Sequence, residues 1–578
     1  MPRCLSFPIY LHARKAKVKN RIYVSISAGL GIFLLLVCGF VPALGAHDVE
    51  KPDKSAAKAT ASSAGTQAAN SSATPTTESS SSLAVALHLY RTGKYDAAIE
   101  HYNAIIKAGP DSNAAVAEAW LARVYLKEKK PAEAYVAAAK AVELAPQLAT
   151  ARSALGEVYF RQGKIGEAEL EFLNPLRANM QDARAYFGLT RIYRATSNYK
   201  RAKVVIDLAH KTDPDDPEIR RVWIGTLSFK ERLKALEDYL SEESNEDAED
   251  RKSLEHLLVV MQDEENNPSR SCRLKSNLKA TETKLVMLMA DAKRLRGYGL
   301  NVKINGNSSN LLLDTGAGGI LINSKLAEKA GIRQIVQREI KGIGDKGPAG
   351  GYVGYADSIT IGELEFENCH VDVIEKKSSM GEDGLIGADV FSHYLVDINL
   401  PDAKFKLTEL PPIPDEPAEE AALDSRRTAE NRLHDRYIAP EMKSYTPIYR
   451  FGHHLLIPTA VNDLPSKLFN IDTGAFDNMI TPAAGREVSK VFSDDYLKVK
   501  GLSGEVKNVY RADNVTLSFA HFRQKRQGLV AFDLTTISNS LGTEVSGTLG
   551  FGMLRMLDMK IDYRDGLVDF SFDANRFH

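Results

Sequence analysis

The sequence predicts a multidomain protein in which an all-α solenoid precedes two all-β units that pair as a pseudo-dimer. Small residues, tyrosines and prolines recur about every 34 residues in the first half, with helical periodicity between them. In the second half, an apolar run that ends in Asp-Thr-Gly-Ala occurs at Asp314 and again at Asp472. At 578 residues the chain is too long for one ordinary domain.

Composition limits the classes of function. Lys and Arg number 74 against 75 Asp and Glu, so the net charge of −1 predicts no nucleic-acid partner. Hydrophobic content of 44% and charged content of 26% are typical of globular proteins. Four cysteines are too few for a disulfide scaffold. Cys272 and Cys369 are the two outside the leader, and whether they form a bridge stays open at this point.

The first 46 residues have the features of an export leader. Six basic residues precede an uncharged run over 22–46 that ends in VPALGAHD, whose small residues suit a signal peptidase. A run of this length can also span a bilayer, so a cleaved signal and a single retained membrane anchor both stay open. Either way the basic side stays inside. We expect the body to be exported, in the periplasm of a bacterium or anchored outside the cytoplasmic membrane. Residues 47–82, rich in Ala, Ser and Thr, predict a flexible tether.

A helical repeat is predicted over 83–265. Its recurring positions are alanines at intervals of 36, 34 and 34 residues, with tyrosines and prolines in step: Ala98, Ala134, Ala168, Ala202, Tyr125, Tyr159, Tyr193, Pro110, Pro146 and Pro214. Small side chains let paired helices approach, and proline ends the second helix of a pair. This pattern resembles the tetratricopeptide repeat. The resemblance implies a concave groove that binds a protein partner, and a plain spacer is the alternative.

The second half is predicted to be an internal duplication, with units at 281–409 and 443–577 joined by a charged segment at 410–442. Gly344 lies 30 residues after Asp314, and Gly501 lies 29 after Asp472. An apolar run ends at Gly387, 73 residues after the first Asp, and another at Gly550, 78 after the second. Short β-rich runs separated by glycine-containing turns fill the intervals.

Each unit resembles a retropepsin-type aspartic protease, on the Asp-Thr-Gly loop, the glycine-rich hairpin and the apolar-Gly landmark. The resemblance implies that Asp314 and Asp472 face each other as a catalytic dyad that shares one proton and activates a water. It implies loop-supporting roles for Thr315, Gly316, Thr473, Gly474, Gly387 and Gly550. It also implies two mobile flaps, containing Gly342, Ile343, Gly344, Gly501, Leu502 and Gly504.

We therefore expect an exported aspartic endopeptidase that acts on peptide or protein substrates and needs neither cofactor nor metal. Ala317 and Ala475 cannot donate a hydroxyl hydrogen bond to the dyad, which predicts activity at mildly acidic to near-neutral pH. His453 and His454 are expected on one strand, facing opposite sides, and so to be a poor metal pair. Two alternatives remain: a non-catalytic scaffold with a degenerate peptide-binding module, and pairing of units between chains if 410–442 is slack.

Overall fold

The computed structural model describes residues 77–109, 112–178, 180–242, 248–268, 272–375, 383–414 and 434–577. The expected leader, most of the tether and residues 415–433 of the joining segment lie outside the described residues. Among the helices of these ranges, none combines the length and the apolar character needed to cross a membrane.

The N-terminal half of the described chain is helical. Its helices are α1 (Thr77–Arg91), α2 (Tyr95–Ala108), α3 (Ser112–Lys127), α4 (Pro131–Leu144), α5 (Ala149–Arg161), α6 (Ile165–Arg177), α7 (Ala183–Ala195), α8 (Tyr199–Thr212), α9 (Pro217–Ile224), α10 (Phe229–Ser241) and α11 (Ala248–Asn266). Consecutive helices from α1 to α8 pack as antiparallel hairpins. The predicted order, a helical region followed by a β-rich region, is confirmed.

Small residues explain the close packing of these hairpins. The four repeating alanines are all buried, at 0% to 4% exposure. Phe172 fills the space between neighbouring helices, because a Cβ atom at Gly188 would lie 2.2 Å from its ring and one at Gly156 would lie 2.7 Å from it. Larger side chains at these positions would separate the helices. We refer to α1–α11 as the helical array.

Charged side chains fill the inner face of the array, where the odd-numbered helices contact one another. Arg184 is buried there and forms ion pairs with Asp216 at 2.9 Å and with Glu218 at 2.6 Å. Its guanidinium also donates to the hydroxyl of Tyr90 at 3.0 Å. These contacts connect α1 across the array to α7 and to the start of α9.

The first β unit (273–409) contains β1 (Arg273–Leu274), β2 (Ala280–Lys284), β3 (Val286–Asp291), β4 (Arg294–Ile304), β5 (Asn307–Asp314), β6 (Ile320–Asn323), α12 (Ser324–Lys329), β7 (Arg333–Ile340), β8 (Ala349–Ile361), β9 (Leu364–Ile374), β10 (Gly384–Gly387), β11 (Tyr394–Asn399) and β12 (Lys404–Glu409). Its main sheet has the order β1-β9-β6-β10-β5-β4-β8-β7, and β3 pairs with β4. A disulfide between Cys272 and Cys369 ties the start of this unit to β9 and answers the question that the sequence left open.

The second β unit (434–571) contains β13 (Thr446–Pro447), β14 (Tyr449–Phe451), β15 (His454–Val461), β16 (Lys467–Asp472), β17 (Met479–Ile480), α13 (Pro482–Val488), β18 (Val491–Ser493), β19 (Lys500–Gly501), β20 (Gly504–Glu505), β21 (Tyr510–Ala512), β22 (Val515–Phe519), β23 (Phe522–Arg526), β24 (Leu529–Ala531), α14 (Thr535–Leu541), β25 (Gly547–Gly550), α15 (Phe551–Leu554), β26 (Asp558–Asp562) and β27 (Leu567–Ser571). Its main sheet runs β18-β21-β24-β17-β25-β16-β15-β22-β23, with β14 beside β15.

A six-stranded sheet joins the two β units. Its order is β13-β27-β26-β11-β12-β2, so β11 of the first unit pairs with β26 of the second. The pairing is antiparallel, and the inner faces of both strands belong to one continuous apolar core. We call this sheet the shared sheet and the β11–β26 contact the seam.

The helical array rests on the second β unit. The ring of Phe160 in α5 meets that of Phe451 edge to face, with centroids 6.0 Å apart. The hydroxyl of Thr543 donates to the Phe160 carbonyl oxygen at 2.7 Å, and Arg191 donates to the Gly542 carbonyl oxygen at 3.1 Å. Apolar residues of α5–α7 and of the second unit form one buried cluster. The sequence pattern alone does not reveal this interface.

Candidate active site

The two repeated aspartates lie at equivalent ends of buried strands. β5 ends at Asp314 and β16 ends at Asp472, after residues that are almost fully buried. Each strand has a parallel neighbour that ends in the predicted glycine. Gly387 pairs with Asp314, and Gly550 pairs with Asp472. Both carboxyl groups are therefore held by rigid sheet rather than by long loops.

The glycines after each Asp-Thr pair allow the two loops to meet. A Cβ atom at Gly474 would lie 2.2 Å from Oδ2 of Asp314. A Cβ atom at Gly316 would lie 2.5 Å from Cγ of Asp472. Atoms this close overlap, so no side chain fits at either position. Each glycine thus lies against the carboxyl group contributed by the other unit.

The two threonines connect the loops through reciprocal hydrogen bonds. The Thr315 hydroxyl donates to the Ile471 carbonyl oxygen at 2.9 Å, and the Thr473 hydroxyl donates to the Leu313 carbonyl oxygen at 2.8 Å. Each hydroxyl also accepts from the backbone N–H of the other threonine. Both threonines are buried, at 0% and 3% exposure, so water cannot replace these bonds.

The carboxyl groups have few other partners. Oδ1 of Asp314 accepts from the Gly316 N–H at 2.8 Å, and Oδ1 of Asp472 accepts from the Ala475 N–H at 2.7 Å. Burial, followed by the adjacent Asp314 carboxylate, raises the pKa of Asp472 well above its usual range. The Ala475 N–H and the Arg296 cation oppose this rise. A hydrogen bond between the two carboxyl groups favours the protonated form of Asp472.

The two segments predicted to be flaps meet at their tips. Segment 341–348 connects β7 to β8, and β19 and β20 form the second hairpin. The Ser503 N–H donates to the Ile343 carbonyl oxygen at 3.0 Å, and the Gly342 N–H donates to the Ser503 hydroxyl at 3.1 Å. Gly344 and Gly501 are needed here because a Cβ atom at either would lie 2.4 Å from backbone of the opposite tip.

Each tip reaches across to the other unit. Ile343 of the first unit packs against an apolar cluster of the second unit that contains Ala475 and Val506. Leu502 of the second unit packs against a cluster of the first unit that contains Leu321 and Ile340. The Cβ of Leu502 also lies close to the tip glycine Gly342, and Gly504 has a φ of +97° that suits glycine.

Three residues that the sequence analysis did not assign to the site contact these loops. Asp389 accepts from the Gly319 N–H at 3.0 Å and so holds the end of the first loop. Arg296 donates to the Gly474 carbonyl oxygen at 2.9 Å. Asp389 could have been found from sequence, because it follows the Gly387 landmark by two residues.

His453 is the third, and it corrects an expectation. His453 lies in the turn before β15 rather than on the strand, and its ring lies 4.1 Å from that of His454 instead of on the opposite face. A Cβ atom at Gly318 would lie 2.6 Å from Nδ1 of His453, so this ring covers the first loop from the second unit. The turn residue Gly452, with φ of +61°, ends the alternation on which the expectation depended.

The second unit supports its loop differently from the first. The side-chain oxygen of Asn478 accepts from the Gly550 N–H at 2.8 Å. In the second unit, Gly552 stands at the position that corresponds to Asp389. Asp477 lies beside Gly552 and forms an ion pair with Arg526 at 2.6 Å. Thr548, two residues before Gly550, is buried in β25.

Two partly buried carboxyl groups with these surroundings can carry out acid–base chemistry on a bound water. Within the described ranges, no group of three or more His, Cys, Asp or Glu side chains could hold a metal ion.

Residues 300–390 match the family model for aspartyl protease. The match begins in β4, contains Asp314, Thr315 and Gly387, and ends just after Asp389. No curated protein matches the chain. The family match supports a protease-like function for the first β unit. The helical array and the second β unit lie outside it.

Proposed function

We propose that this protein is an aspartic endopeptidase whose catalytic dyad consists of Asp314 and Asp472. The observation that carries the proposal is the mutual approach of the two loops. Gly474 faces the carboxyl group of Asp314, and Gly316 faces that of Asp472. The aspartyl protease match over the first unit agrees with this assignment.

The chemistry follows from the shared proton. Two carboxylates in contact cannot both ionise, so the pair holds one proton over a range of pH. The ionised oxygen accepts a proton from a water, which attacks the carbonyl carbon of the scissile peptide bond. The protonated carboxyl group donates its proton to the carbonyl oxygen, which gives a tetrahedral diol. The proton taken from the water then passes to the leaving nitrogen as the C–N bond breaks, and one diol proton returns to the dyad. The pair acts as a unit, so neither aspartate alone is the base.

The crossed flap tips suit an extended peptide substrate. A peptide bound beneath them would be shielded from water, which strengthens the electrostatic interactions of the dyad. Because Ile343 and Leu502 each contact the opposite unit, opening requires the hydrogen bonds between the tips to break. We propose that substrate entry separates the tips and that closure over the peptide restores contacts of this kind.

The two β units would form the active site as a pseudo-dimer within one chain, and the shared sheet supports this reading. We propose that the helical array, which resembles tetratricopeptide repeats, docks a protein substrate or partner. Its apolar interface with the second β unit would fix any docked protein relative to the dyad. The Cys272–Cys369 disulfide supports an exported location, because such bonds persist in oxidising compartments.

Cleavage of an unfolded polypeptide by the purified full-length chain tests the proposal. We expect internal cleavage that a statine-type transition-state analogue blocks, and no cleavage by Asp472→Asn at the same concentration. Asp357→Asn, which changes an aspartate with a 72% exposed side chain, serves as the matched control. Absence of cleavage by the wild-type chain over a range of substrates and pH would favour the non-catalytic scaffold instead.

A further inference from the structure

The two strands at the seam carry opposite charges at equivalent positions. Asp397 lies ten residues after Gly387, and Lys560 lies ten residues after Gly550, so the duplication relates them to each other. In the shared sheet these two residues are also directly opposite each other. Asp397 and Lys560 therefore mark the pseudo-twofold axis between the units.

A row of alternating charges extends outward from this pair. The register places Lys406 beside Asp397 on β12, and Asp569 beside Lys560 on β27. Glu282 on β2 lies beside Lys406 and completes the row. Each charge thus has an opposite charge as its direct cross-strand neighbour, an arrangement that stabilises antiparallel strands.

The same register applied to two identical units would place like charges together. A residue on the axis faces its own copy in a symmetric pair. Asp397 would face Asp397 in a pair of first units, and Lys560 would face Lys560 in a pair of second units. Like charges directly opposite each other destabilise a sheet.

A pair of second units would have a further conflict. In the observed seam, Asp558 directly faces the uncharged Asn399 and repels Asp397 only diagonally, while Asp562 faces Leu395. In a symmetric pair of second units, Asp558 would face Asp562 on both sides of the axis. Asp562 is fully buried, so an opposing carboxylate there would be poorly screened by water.

We propose that the charges on β11 and β26 make each β unit select the other kind of unit as its partner and reject a second copy of itself. This inference rests on the proposed function only in one respect, which is that the two β units act together as one enzyme. It assigns the seam as a specificity-determining surface whose partner is a β unit of opposite seam charge. Retention of both copies in one chain then supplies that partner at a high local concentration.

The discrimination should depend on pH. Burial, followed by a hydrogen bond and repulsion from Asp558, raises the pKa of Asp397 to about 7, while Lys560 and Lys406 oppose the rise. Burial, followed by the charges of nearby aspartates that include Asp397 and Asp558, raises the pKa of Tyr445, on the segment before β13, to about 12. The charge of Asp397 in this seam is therefore nearly complete only well above pH 7. The test belongs at about pH 8.

Neutralising the axis pair tests the proposal. The full-length double variant Asp397→Asn, Lys560→Gln removes the attraction within the chain and the repulsion between like units together. Both proteins are measured at pH 8 in the same detergent. We expect the double variant to form two-chain particles at a protein concentration at least tenfold lower than the wild type requires. Particle mass measured over a dilution series gives the comparison.

The matched control removes an exposed charge pair away from the shared sheet. Lys275 and Glu365 form such a pair at 3.3 Å within the first unit. The double variant Lys275→Gln, Glu365→Gln should associate no more than the wild type. Equal association of the seam variant and this control would overturn the proposal.

A thermal cycle gives a second, independent readout. The melting midpoint is measured for Asp397→Asn, for Lys560→Gln and for the double variant. We expect the double variant to lose less than the sum of the two single losses, because the charges act on each other. Strict additivity would contradict the proposal. Neither readout uses cleavage, so a failure here is distinct from a failure of the proposed function.

Discussion

The hydroxyl groups of Thr315 and Thr473 each accept a hydrogen bond from the backbone N–H of the other residue, at 3.0 and 3.1 Å. The donors and acceptors come from different β units, and all lie out of contact with water. The connection therefore fixes the distance between the carboxyl groups of Asp314 and Asp472, which directly precede the two threonines. It does so with bonds that neither unit can form alone.

Removal of one of these hydroxyls should destabilise the pair of units. Thr315→Val leaves the Thr473 N–H and the Ile471 carbonyl oxygen without a partner, and each such buried group costs about 1–3 kcal/mol. We expect a total loss of about 2–6 kcal/mol in the free energy of unfolding, measured by urea denaturation. Thr315→Ser keeps the hydroxyl and should retain most of the stability. A loss in Thr315→Ser with none in Thr315→Val would show that the methyl group, not the hydrogen bonds, stabilises the loop.

The sequence predicted these threonines, the aspartates and the glycines because the pattern around each is local. An apolar strand followed by Asp-Thr-Gly can be recognised without knowing what it contacts. Arg296 and His453 could not be found this way. The turn between the two strands that lead to the Asp is one residue shorter in the first copy. Arg296 and His453 therefore lie at different distances in sequence from their Asp, and their equivalent positions become visible only when strand pairing fixes the register.

The contact of Phe160 with Phe451 was unpredictable for a related reason. Periodicity places Phe160 on a buried face of α5, but it does not reveal whether a helix or another domain covers that face. The joining of Cys272 to Cys369 likewise depends on β1 pairing with β9 across a long stretch of chain.

The glycines that face the carboxyl groups should tolerate no side chain. Gly474→Ala would place a methyl group 2.2 Å from Oδ2 of Asp314, so the loops must separate. We expect peptide cleavage to fall by at least about 10²-fold, the lower range for loss of a positioned acid–base group. Gly166→Ala is the control, because its Cβ would meet nothing within 4 Å. If Gly474→Ala cleaved as fast as Gly166→Ala, the close approach of the loops would not be required for activity.

The raised pKa of Asp472 should make stability depend on pH. Below about pH 3.9, the usual pKa of aspartate, Asp472 holds its proton in both the folded and the unfolded chain, so it does not lower the free energy of unfolding. As pH rises, the unfolded chain releases this proton while the folded chain keeps it, so folding stability falls until pH passes the folded pKa. Asp472→Asn removes this cost. Its melting midpoint relative to the wild type should therefore be higher at pH 7 than at pH 4, and a constant difference would argue against a raised pKa.

The disulfide should contribute to the stability of the first β unit. Cys272 and Cys369 are 97 residues apart, and a bond that closes so long a loop restricts the unfolded chain strongly. We expect Cys272→Ser with Cys369→Ser to lose about 2–4 kcal/mol in the free energy of unfolding. Addition of a reductant should lower the wild-type stability to that of the variant and leave the variant unchanged. Loss of stability in the variant on reduction would point to other cysteines.

Mixing two inactive chains tests the central claim most directly. Peptide cleavage is measured for the wild type, for Asp314→Asn, for Asp472→Asn and for an equimolar mixture of the two variants. A dyad built from both units of one chain predicts cleavage by the wild type alone. Cleavage by either variant alone at the rate of the wild type would contradict the need for both carboxyl groups. Recovery of activity in the mixture would contradict the pairing of the two carboxyl groups within one chain.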